Sequence, residues 1–165
     1  MNEQYIKEHY GFEDVRNVVA KLRDRDGCPW DREQTHESIT GCLRDESEEV
    51  IEAIENRDYL NLREELGDLL LQVLLHARIA EENGEFTLED VIDELGHKLV
   101  RRHPHVFGDE EQLNDAKAGH ARWNDVKKQE KLDRISEYEQ WIAEEKLEPQ
   151  VLDRYKKMLA DKGLL

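Results

Sequence analysis

An all-α domain is the fold class this sequence predicts, and three observations carry it. Only 9 glycines and 3 prolines punctuate 165 residues, too few for the frequent turns of a many-stranded sandwich or barrel. Apolar residues recur at helical spacing over long stretches. Capping pairs, Asp31 with Gln34, Asn61 with Glu64 and Thr87 with Asp90, stand ahead of those stretches.

The first helix is expected from Phe12 to Asp26, with Phe12, Val15, Val18, Val19 and Leu22 on one face and Gly27 as its stop. Cys28-Pro29-Trp30 cannot continue it, because proline lacks a donor and restricts the residue before it. A second helix follows from about Arg32 to Glu55. The third opens at Asn61 and lasts until Asn83-Gly84, and the fourth opens at Thr87 and ends near Arg102 at His103-Pro104-His105. A fifth starts near Asn114 and passes through Trp123 to Val126. Beyond Lys131, Ile135, Tyr138, Trp141 and Ile142 indicate a further helix before Pro149, and a short last one ends at Gly163. The chain divides into a domain at 1–130 and a charged helical extension at 131–165.

Against 24 Lys plus Arg stand 40 Asp plus Glu, a net charge of −16. That field excludes a non-specific nucleic-acid binder and repels anionic membranes, so a phosphate-bearing ligand needs metal ions or a local basic patch. No segment approaches 18 uninterrupted apolar residues, and Met1-Asn2-Glu3-Gln4 lacks a basic region followed by an apolar stretch; a cytoplasmic protein is expected. Cys28 and Cys42 form no C-x-x-C pair and read as packing thiols.

The third helix is the most apolar stretch, with Leu66, Leu69, Leu70, Leu71, Val73, Leu74, Leu75, Ala77 and Ile79 covering most of its circumference. Such a helix should be buried nearly all round. Yet Glu65, Asp68 and Gln72 stack into one polar line along it. The second helix carries Asp45, Glu46, Glu48, Glu49 and Glu52, and a short turn near Asn56 to Leu60 makes the two an antiparallel pair. Folding there sets Glu46 level with Asp68 and Glu49 level with Glu65. The two levels lie about 4.5 Å apart, so one or two cations can bridge all four carboxylates. Oxygen-only ligands indicate Mg²⁺ or Mn²⁺. Glu48 and Glu52 read as a solvated face.

On the fourth helix Arg102 falls within the apolar arc of Leu88, Val91, Ile92, Leu95 and Leu99, and Lys98 borders it. Inward cations beside an anionic metal cluster point to a polyphosphate ligand. Trp30 and Trp123 lie outside the dense apolar runs, where each is either a base-stacking platform or a packing residue. His103-Pro104-His105 reads as helix-ending packing.

These residues resemble the MazG-type nucleoside triphosphate pyrophosphohydrolases, members of the all-α NTP pyrophosphatase group. The resemblance covers roughly Phe12 to Lys128. It lies in Gly27-Cys28-Pro29-Trp30-Asp31-Arg32-Glu33-Gln34-Thr35, Asp45-Glu46-Ser47-Glu48-Glu49, Glu64-Glu65-Leu66-Gly67-Asp68, Lys98-Leu99-Val100-Arg101-Arg102-His103-Pro104-His105-Val106-Phe107 and Arg122-Trp123-Asn124-Asp125-Val126-Lys127. It implies that Glu46, Glu49, Glu65 and Asp68 hold Mg²⁺, with Mn²⁺ able to substitute, while Asp45 stands where the family has Glu. It further implies hydrolysis of a nucleoside triphosphate to monophosphate and pyrophosphate, clearing non-canonical or excess nucleotides, with Glu46 or Glu49 positioning or deprotonating water. Lys98, Arg101 and Arg102 would contact phosphates and Trp123 the base, with Trp30 and Lys127 also assigned to the substrate. A homo-oligomer, most simply a dimer, is expected from the resemblance and from the apolar surplus of the hairpin. Two rival readings are a carboxylate-bridged di-iron oxidoreductase, using Glu33-x-x-His36 and Glu94-x-x-His97, and a non-catalytic acidic helical adaptor.

Overall fold

The computed structural model describes residues 3–111 and 115–165. Met1 and Asn2 of the leader reading, and Asn114, the expected start of the fifth helix, lie outside the described residues. Among those described, every regular element is helical. After a 3-10 turn at Glu3–Tyr5 come α1 (Phe12–Arg23), α2 (Pro29–Glu33), α3 (Thr40–Asn56), α4 (Tyr59–Asn83), α5 (Leu88–Arg102), α6 (Pro104–Phe107), α7 (Ala116–Ala143) and α8 (Pro149–Asp161). They form two compact units, one up to residue 94 and one from residue 95.

In the first unit α3 and α4 pair through a two-residue link. Arg57 takes the left-handed conformation, with φ 56°, and the Asp58 amide donates back to the Ala53 carbonyl at 2.9 Å. The cap of α4 is Asp58 and not the expected Asn61, because the Asp58 carboxylate reaches the amides of Leu60 and Asn61 at 3.1 and 3.0 Å. Gly84, with φ 72°, closes the other end as expected. The Thr87 and Asp90 box also forms: the Thr87 amide donates to the Asp90 carboxylate at 2.8 Å, and the Asp90 amide donates to the Thr87 hydroxyl at 3.2 Å.

Other helix boundaries also depart from the sequence reading. Helix α1 ends at Arg23 rather than Asp26, because the Gly27 amide donates to the Asp24 carbonyl and Cys28 reaches back to Leu22. A Cβ on Gly27 would stand 2.3 Å from the Lys21 and Leu22 carbonyl oxygens, so only glycine closes this loop. The single helix expected over 32–55 is instead α2 and α3, separated by residues 34–39. There the Gln34 side chain returns to the Trp30 carbonyl at 2.8 Å, and Thr35 and Ser38 exchange side-chain-to-amide bonds. The nearly inaccessible Arg23 guanidinium donates to the carbonyls of Asp31 and Gln34, and to Glu82 at 2.8 Å. This clamp aims Ile39 into a core with Val19, Leu74, Leu75, Ala77, Ile79 and Leu88.

Helix α4 is not buried all round. Leu66, Leu70 and Val73 are exposed, because α1 and α3 cover only the opposite side.

In the second unit α6 begins at Pro104, capped by His103, so His103-Pro104-His105 does end α5. The fifth helix and the further helix of the tail are one 28-residue helix, α7. No glycine or proline lies between Gly119 and Pro149 to break it. Helix α8 folds back on α7, burying Leu152 and Leu159. Tyr138 and Tyr155 meet with ring centroids 4.7 Å apart, and the Tyr155 hydroxyl donates to the Lys131 carbonyl at 3.0 Å. Gly163, with φ 64°, ends α8 as expected. Both cysteines are free thiols, half-buried. Among the described residues no helix is long and apolar enough to cross a membrane.

Candidate active site

The α3–α4 hairpin converts two sequence patterns into one cluster. Glu46 and Glu49 lie one turn apart on α3, and Glu65 lies on α4. One carboxylate oxygen from each comes within 4.8 Å of the other two. Glu65 is only 9% exposed, Glu46 is half-buried and Glu49 faces solvent. Burial, followed by the charges of Asp68, Glu49 and Asp45, holds the Glu46 carboxyl above the ordinary glutamate range. Burial also raises Glu65, with Glu49, Asp68 and Glu64 adding to it.

Asp68 is half-buried, and its charge bears on both raised carboxyls, but its oxygens stand outside the trio. The line along α4 is completed by Gln72, which is buried with no partner for its Oε1 among the described residues. Glu48 and Glu52 are exposed, in keeping with a solvated face. No lysine or arginine pairs with Glu46, Glu49, Glu65 or Asp68 among the described residues. Three converging oxygen donors, two of them desolvated and none neutralised, fit a hard divalent cation such as Mg²⁺ or Mn²⁺.

In the second unit Arg102 is 8% exposed, as its place in the apolar arc predicts. Its partner is Glu130 of α7, which accepts from Arg102 Nε and Nη2 at 2.9 and 2.6 Å while its other oxygen accepts from Arg101 at 2.7 Å. Burial pushes the Glu130 carboxyl up, but the two guanidinium groups outweigh it and hold it below the usual range. The Arg102 guanidinium also lies 4.6 Å from the Trp123 ring centroid. His103 meets that ring at 5.1 Å. Sequence reasoning missed Glu130. The available signal was its spacing, seven residues from Trp123 and so on the same face of α7.

Lys98 is half-buried and Lys127 exposed. Trp30, 58% exposed in the first turn of α2, is not a core residue. Also missed was a stacked pair, His36 with His76, whose Nδ1 atoms are 2.8 Å apart and whose rings are parallel within 3°. His36 is thereby engaged with His76 while Glu33 is exposed, an arrangement that does not favour Glu33-x-x-His36 as half of a di-iron centre.

A family model described as the MazG nucleotide pyrophosphohydrolase domain matches residues 34–107. A solved mazG-related protein from Thermotoga maritima is similar over 70% of this chain and 98% of its own, with a TM-score of 0.57 and 32% sequence identity. The chain belongs to the MazG nucleotide pyrophosphohydrolase family. The nucleoside triphosphate pyrophosphohydrolase/pyrophosphatase MazG of Thermotoga maritima is 51% identical over 120 residues, 73% of this chain and 45% of that protein. The nucleoside triphosphate pyrophosphohydrolase of Escherichia coli K12 is 44% identical over 115 residues, 69% of this chain and 43% of its own length. This chain therefore spans less than half of either curated relative. The MazG match takes in Glu46, Glu49, Glu65, Asp68, Lys98, Arg101 and Arg102, and leaves Trp30, Trp123 and Lys127 outside it. Membership of this family disfavours both the di-iron and the adaptor readings.

Proposed function

We propose that this chain hydrolyses nucleoside triphosphates at the α–β phosphoanhydride bond, giving monophosphate and pyrophosphate, with Mg²⁺ or Mn²⁺ as cofactor. The observation that carries the reading is the convergence of Glu46, Glu49 and Glu65 on the hairpin of a MazG-family chain. These three, with Asp68, would hold the ion. When bound, it supplies neutralisation of the phosphates and a more acidic coordinated water. Glu46 or Glu49 orients the attacking water and accepts its proton, and the raised affinity of Glu46 for a proton suits it to that task. The anhydride bond breaks as the water oxygen attacks phosphorus, and pyrophosphate leaves with the bonding pair. Lys98, Arg101 and Arg102 stabilise charge on the phosphates, Trp123 and Trp30 contact the base, and Lys127 adds a further cation. In this reading residues 1–130 carry the chemistry and 131–165 form an extension. The chain works in the cytoplasm as a homodimer and removes non-canonical or excess nucleotides.

Chromatography of products from a panel of nucleoside triphosphates tests the reaction. Monophosphate and pyrophosphate, formed only with a divalent ion, are expected. Diphosphate with orthophosphate, or activity that survives EDTA, would overturn it.

A further inference from the structure

The α7–α8 hairpin brings lysines together where a protein of net charge −16 would be expected to place an acid. Tyr138 of α7 meets Tyr155 of α8 with the rings tilted by 31°, which sets these two residues opposite each other on two antiparallel helices. Seven residues before Tyr138 is Lys131, and seven after Tyr155 is Lys162. Two helical turns preserve the facing side, so these lysines stand level across the hairpin. The Tyr155 hydroxyl reaches diagonally to the Lys131 carbonyl at 3.0 Å and so holds α8 against the Lys131 segment of α7. One turn earlier on that face of α7 lies Lys127. None of Lys127, Lys131 and Lys162 pairs with a carboxylate among the described residues, whereas the nearby Arg101 and Arg102 share Glu130.

The arrangement is costly as it stands. Lys131 is half-buried, and burial, with the like charges of Lys162, Lys127 and Arg102, lowers its affinity for a proton. Lys162, as the C-cap of α8, gains from that helix's dipole. Lys131, in mid-helix, has no such compensation. A desolvated amine facing other cations, without an acid, is the arrangement that a bound multivalent anion would stabilise.

We propose that Lys131 and Lys162, flanked by Lys127, form a binding site for a multiply charged phosphoryl anion, one helix of which comes from the C-terminal extension. Both lysines lie beyond the residues matched to the MazG domain. The proposal depends on the hydrolase reading only for whose phosphates occupy the site, which are those of the nucleotide or those of free pyrophosphate.

The test is calorimetric titration of the full chain with inorganic pyrophosphate in EDTA, so that no metal bridges the anion to the acidic cluster. Lys131→Gln with Lys162→Gln is compared with Lys128→Gln with Lys157→Gln, which removes the same charge from exposed positions. The first pair should weaken binding by about tenfold or more and the second by far less. The first pair should also leave the melting temperature unchanged or raise it, since like charges are removed. Equal weakening by both pairs, or no pyrophosphate binding by the unaltered chain, would overturn the site. A non-hydrolysable nucleoside triphosphate then distinguishes the sources. Competition with pyrophosphate for these lysines assigns the site to substrate phosphates, and simultaneous binding assigns it to free pyrophosphate. Because binding is read without turnover, loss of this site and failure of the hydrolase reading are separately visible.

Discussion

Glu65 concentrates the chemistry of the first unit in one side chain: it is buried, acidic and set against Glu49, with no cation paired to it among the described residues. Glu65→Gln and Glu49→Gln should each lower hydrolysis by about 100-fold or more, since each removes a charged ligand or a proton acceptor. The metal-free Glu65→Gln protein should melt no lower than the unaltered chain, and higher if repulsion outweighs lost hydrogen bonding. A substantially lower melting temperature in EDTA would show that Glu65 serves folding instead. Glu130 behaves oppositely. Its carboxyl is held below the ordinary glutamate value of 4.5 by Arg102 and Arg101 in spite of burial. A depressed folded value gives stability that is present above the unfolded value and lost as pH falls from about 4.5 through the depressed one. Glu130→Gln should therefore cost about 2 kcal/mol at neutral pH. It should also flatten the acid limb of a denaturation series below that pH.

At the scale of elements, the hairpin link places the acidic trio. Asp58 satisfies two amides at the start of α4 and sits one residue beyond the left-handed Arg57, so cap and turn together set the register of Glu49 against Glu65. Asp58→Ala should cost about 1 kcal/mol, read as a shift in the urea midpoint at constant slope. A loss of metal-dependent activity larger than that destabilisation would show that the cap also holds the carboxylate register. The polar stripe of α4, the Thr87 and Asp90 box and the stop at Gly84 were all legible, because each is a local pattern that the helix itself satisfies. The break at residues 34–39 was not. It depends on Arg23, whose guanidinium reaches the Asp31 and Gln34 carbonyls while held by Glu82, 59 residues away on α4, so the clamp closes only once α1 and α4 are packed. The fusion of the fifth expected helix with the further helix of the tail into α7 was legible in retrospect, since no glycine or proline separates them.

For the whole molecule, the exposed stripe of Leu66, Leu70 and Val73 on α4, with Ile51 and Ile54 on α3, is an apolar surface that a second copy of the hairpin would cover. Light scattering should give about twice the mass of one chain. Leu66→Glu with Leu70→Glu should return it to one chain mass while leaving each chain helical. In a monomer these changes on an already exposed face would be close to neutral. A single-chain mass for the unaltered protein would sink the pairing.

The sequence by itself determined the helical class, several helix ends and the two acidic motifs, because capping, proline and period 3.6 act within a few residues. It also placed Arg102 inward and put the acidic stripe on the most apolar helix. Tertiary structure alone decided which groups meet. Glu130 with Arg102 and His36 with His76 are contacts between residues 28 and 40 positions apart. The interactions of buried charges depend on distance and desolvation in the folded chain, and neither is encoded at any single position.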